Sequence, residues 1–144
     1  MMIIVFIDGL CEPMNPGGVA TYGLAVYRSS LKVAEKAGVV GEGPLMSNNV
    51  AEYSALCEAL KSLLAHGWED EAIIVQSDSR LLVNQMNGLW KCKAGLYLPK
   101  YYAASELKQS FKNIIFKWIP REENSEADGL SRRVYKEYCK PKKD

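Results

Sequence analysis

Met1-Met2-Ile3-Ile4-Val5-Phe6-Ile7-Asp8 opens the chain with seven apolar residues closed by a carboxylate. A short run rich in Ile and Val is expected as a strand buried on both faces. It falls far short of the roughly 20 residues of a membrane span. It also lacks the basic flank and small-residue cleavage site of a secretory leader. We therefore expect a first strand over residues 2–8, with Asp8 at its end, in a cytoplasmic protein without a membrane segment. With 144 residues, 48% of them hydrophobic and 24% charged, the chain suits one globular domain spanning 1–144 and neither a disordered nor a membrane protein.

The rest of the chain extends that strand into a layered fold. Glu12-Pro13-Met14-Asn15-Pro16-Gly17-Gly18 is a loop of turn formers. Val19 to Arg28 and Lys32 to Val40 read as strands joined by a short turn at Ser29-Ser30, which predicts an antiparallel β1-β2-β3 meander. From Asn49 to Ala65, Tyr53, Leu56, Leu60, Leu63 and Leu64 fall at helical spacing, and Gly67 supplies the stop. Ala72 to Gln76 reads as a buried strand and Ser79 to Asn87 as a helix. The basic-aromatic connection Leu89-Trp90-Lys91-Cys92-Lys93 then leads past Pro99 to a helix near Lys100 to Phe111. A strand from Ile114 to Ile119, closed by Pro120, precedes a final helix over Ser125 to Tyr138. The order βββαβααβα predicts an α/β fold: a five-stranded mixed sheet, the meander plus two parallel strands, with helices on both faces. There is no internal repeat or interdomain linker.

Four carboxylates punctuate this layout. Asp8 and Asp78 follow apolar strands, while Glu52 and Asp128 lie near the starts of helices. Each has a local explanation. Asn49-Val50-Ala51-Glu52 has capping-box spacing, as does Ser125-Glu126-Ala127-Asp128, whose acid also suits the helix dipole. Asp78 can cap the following helix, and Asp8 can serve a turn. Glu52 fits its explanation worst, because it shares the apolar stripe of Leu56 and Leu60. Asp8 falls at a strand end, where open α/β sheets place ligands. Acids crowded at one sheet edge need cations between them, which is the layout of a divalent-metal site.

Charge is divided unevenly: residues 1–89 carry −5 and residues 90–144 carry +6. The basic half suits a polyanionic partner, although Lys140, Lys142 and Lys143 would also make a solvated tail. Cys11, Cys57, Cys92 and Cys139 show no C-x-x-C spacing, which argues against zinc and for reduced thiols; a Cys57–Cys139 bridge is the alternative.

The sequence resembles type 1 ribonuclease H, in its compact archaeal-type form, over essentially its whole length. Asp8-Gly9 with Asn15-Pro16-Gly17-Gly18 is similar to the first motif of that family, and Ser47-Asn48-Asn49-Val50-Ala51-Glu52 to the second. Asp78-Ser79 resembles the third, and Trp118-Ile119-Pro120-Arg121-Glu122-Glu123-Asn124 through Asp128 the fourth. The resemblance implies a monomeric endoribonuclease that hydrolyses the RNA strand of RNA/DNA hybrids, leaving 5′-phosphate and 3′-hydroxyl ends. Double-stranded RNA is a further candidate substrate. It also implies two Mg²⁺ or Mn²⁺ ions, about 4 Å apart, held by Asp8, Glu52, Asp78 and Asp128 with the scissile phosphate. Glu52 would lie near the RNA 2′-hydroxyl.

Further positions carry over as substrate contacts. Gly9 would let backbone approach the RNA, Asn15 and Asn48 would touch the strands, and Ser47 would hold a DNA phosphate; alternatively, Asn15 begins a turn and Ser47 to Asn49 cap the helix. Trp90, Lys91 and Lys93 resemble a reduced basic-aromatic contact for the DNA strand, or Trp90 packs beneath its loop. Arg80 stands where many relatives have Gln at a minor-groove contact. Many relatives also place a histidine before the last acid. Here the sole histidine is His66, read as a helix C-terminal residue, and Arg121 is the candidate substitute, able to bind phosphate but not to act as a base. The connection from Trp90 to Leu98 is too short for the helical basic protrusion of larger members.

Two rivals follow from the same residues. One is a catalytically weak or silent module that binds hybrid or double-stranded RNA. The other is an exonuclease of the superfamily, whose proofreading-type members carry Glu two residues after the first Asp, where Leu10 stands here.

Overall fold

The opening apolar run forms β1 (Met2–Glu12), which continues four residues past Asp8. The computed structural model describes residues 2–141, so Met1, Lys142 and Lys143 lie outside the described residues. Asp8 is therefore inside a strand and not at its end, a correction to the sequence expectation. The cause is pairing: Gly9 to Glu12 stay in register with Tyr22 to Val19 of β2 (Val19–Arg28), and turn formers begin only at Pro13. On the other side, pairing with β4 (Ala72–Ser77) stops at Phe6↔Gln76. Asp8 thus lies just past the point where one neighbouring strand has departed.

β3 (Leu31–Glu42) returns from β2 through Ser29 and Ser30, whose φ values of 52° and 67° belong to a two-residue hairpin turn. With β5 (Asn113–Trp118) the sheet has five strands in the order β3-β2-β1-β4-β5. The first three pair antiparallel, and β4 and β5 join in parallel, as the element order predicts.

One face of the sheet carries α1 (Asn48–Ala65), with α3 (Leu98–Lys108) packed beside it. Ile3, Val5 and Ile7 meet the α1 stripe of Tyr53, Leu56, Leu60 and Leu63, all fully buried. Each such side chain contributes roughly 1.5–3 kcal/mol on leaving water. The Tyr53 hydroxyl donates to Gln85 Oε1 at 2.7 Å, which ties α1 to α2 (Arg80–Met86). Pro99 falls inside the first turn of α3, where its missing N–H has no helical partner to lose.

The opposite face carries α4 (Ser125–Tyr138), preceded by a 3₁₀ turn at Arg121–Glu123. Thr21 of β2 donates to the Ser131 carbonyl at 3.0 Å, which pins α4 to the sheet. Two glycines set how closely the helices approach. A Cβ on Gly9 would lie 2.3 Å from the Ala51 carbonyl carbon in α1, and one on Gly23 would lie 2.4 Å from the Ala127 oxygen in α4. Gly23 is the register partner of Asp8. The two helices that carry Glu52 and Asp128 are thereby drawn against β1 and β2 beside Asp8.

All four cysteines are free thiols. Cys57 is buried and directs its sulfur to the Lys100 carbonyl, while Cys139 is exposed, so the Cys57–Cys139 bridge is absent.

Candidate active site

Most of the helix-start roles available to the acids belong to other residues. Ser47 is the N-cap of α1, its Oγ accepting from the Val50 amide at 3.1 Å, which corrects the capping-box reading of Asn49 to Glu52. Glu52 is the fifth helical residue, too far along to reach back. Ser79, not Asp78, caps α2 by accepting from the Leu82 amide at 3.2 Å. Asp128 keeps a favourable first-turn place in α4, but its side chain is engaged elsewhere. Asn124 precedes that helix and sends its Nδ2 to the Ile7 carbonyl at 2.8 Å and to Asp78 Oδ2 at 3.4 Å.

With those roles removed, three acids face one another. Asp8, Glu52 and Asp78 each place a carboxylate oxygen within 4.8 Å of the others. Asp8 is 5% exposed and Glu52 8%, and Glu52 Oε2 is a buried acceptor without a partner. Burial is the main cause that pushes the Asp8 carboxyl up to about 8, with the Asp78 charge and contact with Asp128 adding to it. Burial, then the charges of Asp8 and Asp78, raises Glu52 well above the ordinary carboxyl range. Burial raises Asp78 as well, opposed by the Asn124 hydrogen bond and the Arg121 charge. A divalent cation held by these three carboxylates would satisfy the orphaned oxygen and remove the repulsion. Three hard oxygen donors suit Mg²⁺ or Mn²⁺.

Asp128 stands at the rim. Both its oxygens accept from Arg132 Nε at 3.1 Å, and Arg132 Nη1 reaches Glu12 Oε1 at 3.4 Å. The sequence reading did not single out Arg132. Its signal was the i,i+4 spacing from Asp128, a pattern that ordinary surface helices share. Glu12 was not singled out either, and Trp118 and Asn124, which lie in the fourth motif, carried no role of their own. The indole N–H of Trp118 donates to the Asp78 carbonyl at 3.1 Å, and the Arg80 guanidinium lies 4.0 Å from the centre of its ring.

The acids, Glu12, Arg80, Trp118 and Arg132 line one open cleft of about 660 Å³. It brings together the four acids, Gly9, Asn48, Arg80 and Arg121 of the predicted set. The other predicted contacts lie outside its lining. Asn15 Oδ1 accepts from the Asn48 amide at 2.8 Å and ties the loop to α1, and Ser47 serves as the cap. Lys91 and Lys93 are exposed on the connection after α2, and Trp90 is half-exposed there. The missing Cβ of Gly9 accommodates the backbone of α1. His66 caps the C-terminus of α1 and stacks on Trp68, remote from the acids in keeping with its structural reading.

A five-stranded mixed sheet with an acidic cup beside the departing central ladder defines the ribonuclease H class of fold. A family model described as reverse transcriptase-like matches residues 27–134. The Bifunctional protein Rv2228c of Mycobacterium tuberculosis is 35% identical over 133 residues, which cover 91% of this chain and 35% of that protein. Ribonuclease HI of Halobacterium salinarum is 32% identical over 117 residues, covering 81% of this chain and 56% of its own. The chain thus spans about a third to a little over half of these relatives. The solved structure of LC11-RNase H1 in complex with RNA/DNA hybrid superposes with a TM-score of 0.84 at 31% identity, covering 94% of this chain and 98% of that one. The chain belongs to the reverse transcriptase-like family, in its type 1 ribonuclease H branch.

Proposed function

We propose that the protein is a divalent-metal-dependent endoribonuclease that cuts the RNA strand of RNA/DNA hybrids and leaves 5′-phosphate and 3′-hydroxyl ends. The observation that carries this reading is the cup itself: three carboxylates within 4.8 Å, two of them buried and one with an orphaned oxygen. Asp8, Glu52 and Asp78 would hold Mg²⁺ or Mn²⁺, with Asp128 completing a two-ion set. Bound there, the ions supply charge neutralisation at the phosphate and acidify the attacking water. The protein's own groups do the rest.

The Asp8 and Glu52 carboxylates are fixed on a strand and a helix locked by Gly9, so their oxygens need no reorganisation when substrate arrives. Asn124 holds Asp78 against the β1 backbone. Arg121, exposed on its 3₁₀ turn, offers a guanidinium to the cleaved phosphate. Arg80, stacked on Trp118 at the cleft wall, is placed for a groove or backbone contact. Trp90, Lys91 and Lys93 extend the basic, aromatic surface beyond the cleft for the DNA strand. Asn48, from the cleft, and Asn15, Ser47 and Gly9 beside it, complete the expected contacts.

We read the protein as a monomer acting in the cytoplasm; among the described residues no helix is long and apolar enough to cross a membrane. The relative solved with RNA/DNA hybrid supports the choice of substrate. The test is cleavage of a labelled hybrid with Mg²⁺ and with Mn²⁺, beside double-stranded RNA and double-stranded DNA. Binding without cleavage would favour the silent module, and loss of cutting when the ends are blocked would favour an exonuclease.

A further inference from the structure

We propose that Arg132 is a positioning residue that latches the fourth carboxylate, so that the metal-free site is a ready three-acid cup beside an Asp128 already occupied by a guanidinium. The inference rests on the proposed metal-dependent function and concerns the order in which that site fills. Arg132 lies one helical turn after Asp128 and shares its Nε–H between both carboxylate oxygens at 3.1 Å. Its Nη1 spans to Glu12, at the end of β1, at 3.4 Å. The guanidinium therefore bridges α4 to β1 at the rim of the same cleft that the acids line. An ordinary helix ion pair engages one partner on its own helix; this one is also anchored on the strand that carries Asp8.

The consequence follows from charge. Asp8, Glu52 and Asp78 place carboxylate oxygens within 4.8 Å of one another, so a first divalent ion there would relieve repulsion and displace no guanidinium. A second ion that needs Asp128 must share or displace a positive charge already seated on both its oxygens. A phosphate makes that exchange easier from two sides: its oxygens add ligands for the ion, and they offer the released guanidinium a bidentate partner. Filling of the second position is thereby coupled to arrival of the nucleic-acid backbone, and by reciprocity the second ion tightens phosphate binding.

The test counts Mn²⁺ bound to the protein without nucleic acid, by equilibrium dialysis and electron paramagnetic resonance. It compares wild type, Arg132→Gln, Arg132→Lys and Asp8→Asn. Wild type should bind one ion firmly and a second weakly. Arg132→Gln should tighten the second by about tenfold, the scale of removing one partly screened unit charge nearby. Arg132→Lys, which keeps the charge without the shared N–H geometry, should fall between them. If wild type binds Mn²⁺ and Asp8→Asn abolishes it, but neither Arg132 variant moves the second affinity, the latch is wrong and the functional reading stands. If wild type binds no Mn²⁺, both fail.

Discussion

Asp8 and Glu52 are held differently from Asp78 and Asp128. The inner pair is almost fully buried, and Glu52 Oε2 has no partner at all. The outer pair is only partly covered, and each member is engaged: Asp78 by Asn124, Asp128 by Arg132. The inner acids are consequently expensive to ionise without a cation, whereas the outer acids are tuned by neighbouring residues. The difference separates the residues that define the site from those that adjust it.

The comparison breaks most sharply at Asp8. Asp8→Asn should lower hybrid cleavage by about 10³-fold or more, the scale lost when preorganised charge stabilisation is removed. The same variant, stripped of metal with EDTA at pH 8, should resist urea better than wild type by about 1–3 kcal/mol, because a buried unpaired charge is gone. Full activity, or lower metal-free stability, would contradict the division between inner and outer acids. Asn124→Ala probes the outer support. It strands a buried carbonyl at Ile7 and frees Asp78, so it should cost about 1–3 kcal/mol of stability in a urea melt and lower kcat. Arg121→Ala should slow turnover by about tenfold with an unchanged melting temperature, since its side chain is exposed in the cleft.

A pH series gives the most diagnostic effect. The Asp8 carboxyl is raised from 3.8 to about 8, so between those values the folded metal-free protein holds a proton that the unfolded chain has released. Its stability should therefore fall as pH rises from about 4 to 8, by about 1.4 kcal/mol per pH unit for each such proton. Above pH 8 that loss should level off, and Mg²⁺ should flatten the slope by stabilising the ionised acids. A profile that rises over this range would show that the cup is not strained in the way its burial implies.

The fold was largely legible in the sequence because its two strongest signals are local. Ile3, Val5 and Ile7 belong to an uninterrupted apolar run, and Tyr53, Leu56, Leu60 and Leu63 form a helical stripe. Pairing decided what periodicity left open, as when β2 carries β1 on to Glu12. The four acids were legible for a similar reason: Asp78 follows a strand, Glu52 and Asp128 lie near helix starts, and Asp8 closes an apolar run, all features that pattern can place. What was hidden depends on contacts between distant residues. Arg132 meets Glu12 across 120 positions, and Asn124 meets Ile7 across 117. The caps stayed open by a residue or two, because Ser47 and Asn49, or Asp78 and Ser79, are equally good cap chemistry. Only the geometry of the helix start chooses between them.

If the proposed function holds, the cup cuts RNA in a hybrid only when it holds divalent cations. The most direct measurement incubates wild type and Asp8→Asn with an RNA/DNA hybrid whose ends are blocked, with Mg²⁺, with Mn²⁺ and with EDTA, and then identifies the new termini. Wild type alone should make interior cuts in the RNA strand, only with a divalent ion, bearing 5′-phosphate and 3′-hydroxyl ends. Cutting in EDTA, equal cutting by Asp8→Asn, or binding without any cut under either metal would contradict the proposed function.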